Sequence, residues 1–318
     1  MLACDMGRIR IGNAPCSWGV VKGVDGQDSL SWLQVLDDMQ AAGYEGTELG
    51  DWGFMPEDPK LIRRELSARG LSMLGAFTPE GLGRFGCVIP TESETLAIGE
   101  EPIALRAARL LAEISADSKD KPFIILADDP GERSPRLRKA GRITAKDSMS
   151  DAEWDAFIND AIWLATMIRE NSGLRTVFHH HCGTFVETAA ETARLLDSTP
   201  PDLIGLCLDT GHFAYAGDDP IKVLRRYRDR VWHVHFKDCD GPTVERAKAE
   251  RWDYVTAIRN GIFCAIGEGT VDHEGFYKEL IAGGYEGWIV VENEAPPGRM
   301  PPLLIAQNDR AYLRSLGA

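Results

Sequence analysis

Short β-rich runs alternate with amphipathic segments along the whole chain, at a fairly even pitch and with no Pro/Gly/Ser-rich linker dividing it. One joint between a helix end and a strand is used twice, as Ala42-Gly-Tyr-Glu-Gly46 and as Gly283-Gly-Tyr-Glu-Gly287. Together these observations predict an α/β protein built as one (β/α)8 TIM barrel over residues 1–318. An open doubly wound sheet would alternate in the same way, but the even pitch favours closure into a ring.

The elements follow in order. Residues 8–13 (RIRIGN) read as the first strand, and Asp28 or Ser29 can cap a helix running through Met39 and stopping at Gly43. A second strand covers 46–49; Pro59 then stands where a first helical turn tolerates proline, and that helix ends at Gly70. The third strand is 71–77, followed by a helix over 102–114 and a strongly apolar strand, 122–127. Ser150-Asp-Ala-Glu153 is a capping-box pattern opening a helix to about Glu170. Strand five is 174–179, with a helix over 187–196; strand six is 203–209, and Pro220 opens the next helix behind Asp218 or Asp219. Strand seven is 231–236; after a longer excursion come a helix over 273–282, strand eight at 287–292 and a closing helix over 302–316.

The net charge of −14 argues against a nucleic-acid or anionic-membrane partner. The one notable basic cluster, from Arg133 to Arg142, reads as a solvated loop rather than a phosphate site. Seven cysteines form no CxxC pair, so reduced thiols in a cytosol are expected rather than disulfides or a thiolate zinc site. The first ten residues contain Asp5 and no apolar run of signal length, and no stretch approaches the ~18 apolar residues of a membrane span. A cytoplasmic protein is expected, with a homo-oligomer neither required nor excluded. Gly81-Leu-Gly-Arg-Phe-Gly86 fits a dinucleotide fingerprint only as letters, because Pro90 blocks the helix that should follow.

In such a barrel the chemistry belongs at the carboxyl ends of the strands. Strands five to eight end in His179-His-His181, Asp209-Thr-Gly-His212, His233-Val-His-Phe-Lys-Asp238 and Glu292-Asn-Glu294. Side-chain alternation puts His179 and His181 on one face and His180 on the other. The inward set is then His179 or His181, Asp209, His235 and Glu292. Two imidazoles and two carboxylates suit Mn²⁺, Fe²⁺, Co²⁺ or Zn²⁺ rather than Ca²⁺, with positions left for a vicinal carbonyl and hydroxyl. Each residue has a plainer reading: His233 as a hydrogen-bonded core histidine, Asp209 as a turn cap, Glu292 as a surface carboxylate. Unpaired acids ending the apolar runs IGLCLD and GWIVVE would be costly to bury, which favours the joint metal reading. Trp18, Glu48, Trp52 and Phe77, near the ends of early strands, are expected to help line the pocket.

With Ile11-Gly-Asn-Ala-Pro15, Gly43-Tyr-Glu-Gly-Thr-Glu-Leu49, Gly183-Thr184 and Gly267-Glu-Gly269 added to these motifs, almost the whole chain resembles the xylose-isomerase-like barrel superfamily, and within it the myo-inosose-2 dehydratases. The resemblance implies Asp209, His235 and Glu292 as metal ligands, with His179 standing where the epimerases carry a glutamate. It implies that His181 and His212 face the substrate and that Lys237 follows the seventh-strand ligand. Epimerases and isomerases of this kind use two glutamates, one on each face of the sugar; this site offers one. Elimination of water from a keto-cyclitol such as an inosose is therefore expected. His181 and Lys237 are the leading acid/base pair, histidine suiting the acid that protonates the departing hydroxyl. His212 orients the substrate, with Glu48 and Trp18 as further contacts. The alternatives are a metal-dependent isomerase or epimerase on a ketose, an abasic-site endonuclease disfavoured by the charge, and a non-catalytic sugar-binding barrel.

Overall fold

The computed structural model describes residues 9–20, 30–83, 101–132, 134–294 and 300–318. Its strands are β1 (Arg10–Asn13), β2 (Gly46–Glu48), β3 (Ser72–Glu80), β4 (Phe123–Asp128), β5 (Arg175–His179), β6 (Ile204–Asp209), β7 (Val231–Phe236), the short β8 (Asp238–Cys239) and β9 (Phe263–Cys264), and β10 (Trp288–Val291). Eight of them close a barrel in the order β1-β10-β7-β6-β5-β4-β3-β2, every pair parallel. The expected closed (β/α)8 ring is therefore present. β8 and β9 pair antiparallel outside it.

The helices are α1 (Trp32–Ala42), α2 (Pro59–Arg69), α3 (Ile103–Ile114), α4 (Asp151–Ser172), α5 (Ala189–Asp197), α6 (Thr210–Ala216), α7 (Pro220–Arg226), α8 (Gly241–Glu250), α9 (Tyr254–Arg259), α10 (His273–Ala282) and α11 (Pro302–Ser315). Local chemistry accounts for most ends. Ser150 and Glu153 form the anticipated capping box, and Asp58 and Asp219 cap the proline-led α2 and α7. Asp218 instead accepts the Ala189 N–H at 2.8 Å. α1 is capped by Ser31, closer to the helix than Asp28 or Ser29, which lie outside the described residues. α5 starts at Ala189, later than expected, because Thr188 and Glu191 form their own capping box. α6 was not anticipated: Asp209 ends β6 and caps a helix at once.

The main apolar core lies between the ring and its helices, for example Ile124, Leu126, Phe178, Leu206 and Leu208 of the strands with Leu111, Phe157 and Leu164 of the helices. Smaller groups fill the lumen, such as Ile125, Val177 and Cys207. Among the described residues no helix is long and apolar enough to cross a membrane.

The basic cluster is not a solvated loop throughout, which corrects the sequence reading. Arg136 is buried and forks onto both carboxylate oxygens of Glu191 at 2.9 Å, while its Nε–H donates to the Thr184 carbonyl. Arg142 donates to the Trp252 carbonyl at 2.8 Å. Arg136 thus ties the segment to α5 and Arg142 ties it to the turn between α8 and α9; Arg133 lies outside the described residues, as does Arg84–Pro90 of the glycine-rich stretch.

Candidate active site

The carboxyl ends of β5, β6, β7 and β10 deliver the site. Register sets the levels: His179 pairs with Cys207, Asp209 with His235, and the Glu292 N–H donates to the Phe236 carbonyl at 2.9 Å. One ligand atom each from His179, Asp209, His235 and Glu292 lies within 4.8 Å of the others, all four residues buried. Strand alternation admits either His179 or His181; the geometry puts His179 in this quartet. His181 lies instead with His212 and Glu294.

Asp209 and His235 are held from behind. Asp209 Oδ1 accepts the His212 N–H at 2.8 Å as the α6 cap, and the Asp209 N–H donates to His180 Nε2 at 3.1 Å. Its Oδ2 has no hydrogen-bond partner. Asp209 is thus both a cap and a free inward oxygen. His235 donates its Nε2–H to Glu48 Oε1 at 2.9 Å, which turns Nδ1 toward Glu292 Oε1 at 3.3 Å and Asp209 Oδ2 at 3.9 Å. His233 shares the same Glu48 oxygen at 2.8 Å.

Electrostatics fits a cation. Both nitrogens of His179, Asp209 Oδ2 and His235 Nδ1 are buried and make no hydrogen bond, only charge contacts such as His235 Nδ1 to Glu292 Oε1 at 3.3 Å and His179 Nε2 to Asp209 Oδ2 at 3.5 Å, a cost that a bound group would relieve. Burial pulls the His235 pKa down, yet Cys207, Glu292 and Glu48 raise it well above the ordinary imidazole. Burial disfavours the Glu292 carboxylate, but His235 and Lys237 hold its pKa well below normal. The acids therefore hold positive charge at His235, and a divalent ion would answer the same field by displacing its proton. The donor set, two imidazoles and two carboxylates, fits a transition-metal or zinc ion.

Around the quartet stand the other expected residues. Lys237 is fully buried, with Nζ 3.0 Å from Glu292 Oε2 and 2.5 Å from Glu294 Oε1. Burial opposes its charge, but Glu292, Glu294 and Asp209 raise its pKa well above normal, so it is a fixed cation. His181 is the reverse: burial first, then His179 and Lys237, bring its pKa down to about 3. A histidine held neutral has a lone pair rather than a second proton to give, whereas the sequence reading placed there the acid that protonates the departing hydroxyl. His212 is likewise pushed well below normal by burial, His181 and Lys237. Phe77 packs its ring 5.6 Å from that of His179.

Three residues expected near the pocket have partners of their own. Trp18 is buried in the main core and donates its indole N–H to Asp38 of α1 at 3.0 Å, so it supports the outer layer. Trp52 lies under the Arg106 guanidinium of α3. Glu48 is in place, but its inward oxygen serves the two histidines rather than standing free for a substrate.

Sequence reasoning gave no role to two residues. Glu294 was legible in principle, since it shares a face with Glu292 two residues earlier. Tyr254 carried no signal: it sits on α9, in the excursion between β8 and β9, and brings its hydroxyl 3.2 Å from His181 Nε2 and 3.3 Å from Glu294 Oε2. Asp238 fastens the segment that follows β9, accepting N–H groups from Gly267, Gly269 and Val271 at 3.0 Å each.

Comparison with known proteins agrees with this architecture. The family model described as xylose isomerase-like TIM barrel matches residues 36–316. An inosose dehydratase of Geobacillus kaustophilus (strain HTA426) is 33% identical over 308 residues, covering 96% of this chain and 94% of that protein. One from Lacticaseibacillus casei is 30% identical over 305 residues, covering 96% of each. The IolI protein, solved with a bound zinc atom, superposes with a TM-score of 0.66 at 13% identity, over 97% of this chain and 98% of that one, a likeness of fold. Ring order, the family model over residues 36–316 and full-length similarity agree: the chain belongs to the xylose isomerase-like TIM barrel family.

Proposed function

We propose that the chain is a divalent-metal-dependent hydro-lyase of inosose dehydratase type, removing water from a keto-cyclitol. The observation that carries this is the buried quartet of His179, Asp209, His235 and Glu292 with its orphaned inward atoms, flanked by one neutral histidine and one fixed ammonium. The names of the curated relatives and the zinc in IolI support it. The ion, when bound, supplies Lewis acidity toward a substrate ketone. Mn²⁺, Co²⁺, Zn²⁺ and Fe²⁺ all suit the donors.

The protein's own groups divide the remaining work. His181 Nδ1 lies 2.9 Å from the Cys182 carbonyl, which can only accept, so Nδ1 carries the proton and Nε2 presents a lone pair. That lone pair is the base for the proton beside the ketone. Lys237, held charged, donates a proton or hydrogen bond to the departing hydroxyl. His212 receives the Cys182 N–H on Nδ1 at 3.4 Å, which leaves Nε2–H as a donor that orients the substrate. Epimerisation would call for a second carboxylate facing Glu292, where β5 offers His179.

The test is ultraviolet absorbance of the conjugated product formed from inososes in the presence of Mn²⁺ or Co²⁺. Dehydration creates that absorbance and epimerisation does not. His181→Gln should lower turnover at least about 100-fold while metal content is unchanged. Full activity in that variant would remove His181 from the mechanism, and an isomerised product without absorbance would replace the lyase reading.

A further inference from the structure

The excursion between β8 and β9 completes a second cluster beside the quartet. Tyr254, buried among Cys182, Ile258 and Phe263, places one phenolic hydroxyl between two acceptors, His181 Nε2 and Glu294 Oε2. One phenolic hydrogen serves one acceptor at a time. The other waits for a donor inside a buried site. His212 provides the opposite deficit: its Nε2, which carries the hydrogen, is buried with no partner among the described residues. The ligating atoms of His181, His212 and Glu294 lie within 4.8 Å of one another, and the His181 and His212 ring centres are 4.0 Å apart. One missing donor and one missing acceptor in so small a space are answered by a single group that does both, an alcohol hydroxyl.

We infer that Tyr254 and Glu294, with His212 Nε2–H, form a subsite for a further ring hydroxyl of a cyclic polyol, and that the Tyr254 phenol caps His181 until that hydroxyl arrives. This rests on the hydro-lyase reading for the kind of ring bound and adds the group that selects among rings. His181, His212 and Glu294 could in principle hold a second cation. The Lys237 ammonium, 2.5 Å from Glu294 Oε1 and 4.8 Å from the centre of the Phe263 ring, already supplies the positive charge there.

The experiment compares Mn²⁺-loaded wild type with Tyr254→Phe, which keeps the packed ring and loses only the hydroxyl. Calorimetric titration with an inosose and its monodeoxy analogues gives the affinities. Tyr254→Phe should keep the thermal midpoint and bind the inosose about tenfold more weakly. For the one analogue lacking the selected hydroxyl, the two proteins should bind alike. Equal affinity for the inosose, equal loss across all analogues, or no inosose binding by the wild type would each overturn the subsite. So would a second equivalent of Mn²⁺ per chain that Glu294→Gln removes. Absorbance turnover, read separately, distinguishes the two claims. A wild type that binds the inosose through Tyr254 yet forms no conjugated product refutes the reaction alone; one that turns over with no Tyr254 dependence refutes the subsite alone.

Discussion

At the residue scale the site is built from side chains with two duties. Asp209 caps α6 with one oxygen and turns the other inward. Glu48 fixes the His235 ring, so that Nδ1 and not Nε2 faces the quartet. Carboxylates behind a ligating histidine tune metal affinity. Glu48→Gln should therefore weaken Mn²⁺ binding by about 10- to 100-fold, read by calorimetric titration; an unchanged affinity would make Glu48 a packing residue only. The quartet was legible because strand alternation fixes which residues at a strand end point inward. The work of Glu48 was not, because its partners lie 185 and 187 positions away and meet it only across the closed ring. The low pKa of His181 was also hidden, since burial and neighbouring charge set it rather than residue type.

At the element scale, the close seat of α6 on β7 decides where Lys237 stands. A Cβ on Gly211 would lie 2.6 Å from Lys237 Cγ and 2.9 Å from its carbonyl carbon, so the backbones meet without room for a side chain. Gly211→Ala should destabilise the fold by about 1–3 kcal/mol in urea unfolding. It should also cut turnover by more than the unfolded fraction explains, because Lys237 must move. The latch on α5 gives a second case. Arg136→Ala leaves the buried Glu191 carboxylate without its forked partner and should cost about 3–5 kcal/mol by the same measurement. Strands and the longer helices could be read from periodicity and caps. α6 and the α8–α9 excursion could not, being short elements whose positions come from contacts rather than from pattern.

At the scale of the whole molecule, pH acts through the segments that close over the barrel. Glu187 joins two of them, accepting N–H groups from Gly141 at 2.9 Å and Gly183 at 2.6 Å. Burial raises its pKa from 4.5 to about 7 against the pull of those N–H groups. A folded-state pKa above the unfolded one means that its contribution to stability is fully present below about 4.5 and is lost as pH rises through about 7. Glu187→Gln should accordingly gain thermal stability relative to wild type between about pH 5 and about pH 8, and a constant difference would dismiss the effect. The ring itself was legible because strict alternation of strand and helix admits few parallel topologies.

The Glu48 tie has one more consequence. All four quartet residues come from the second half of the chain, yet the oxygen that aims His235 comes from β2, separated from β7 by β1 and β10 in the ring. A fragment beginning near β5 would carry all four quartet residues and still leave that imidazole free to swivel. With an ion proposed for the quartet, its affinity would gauge whether the last seam of the cylinder has zipped shut.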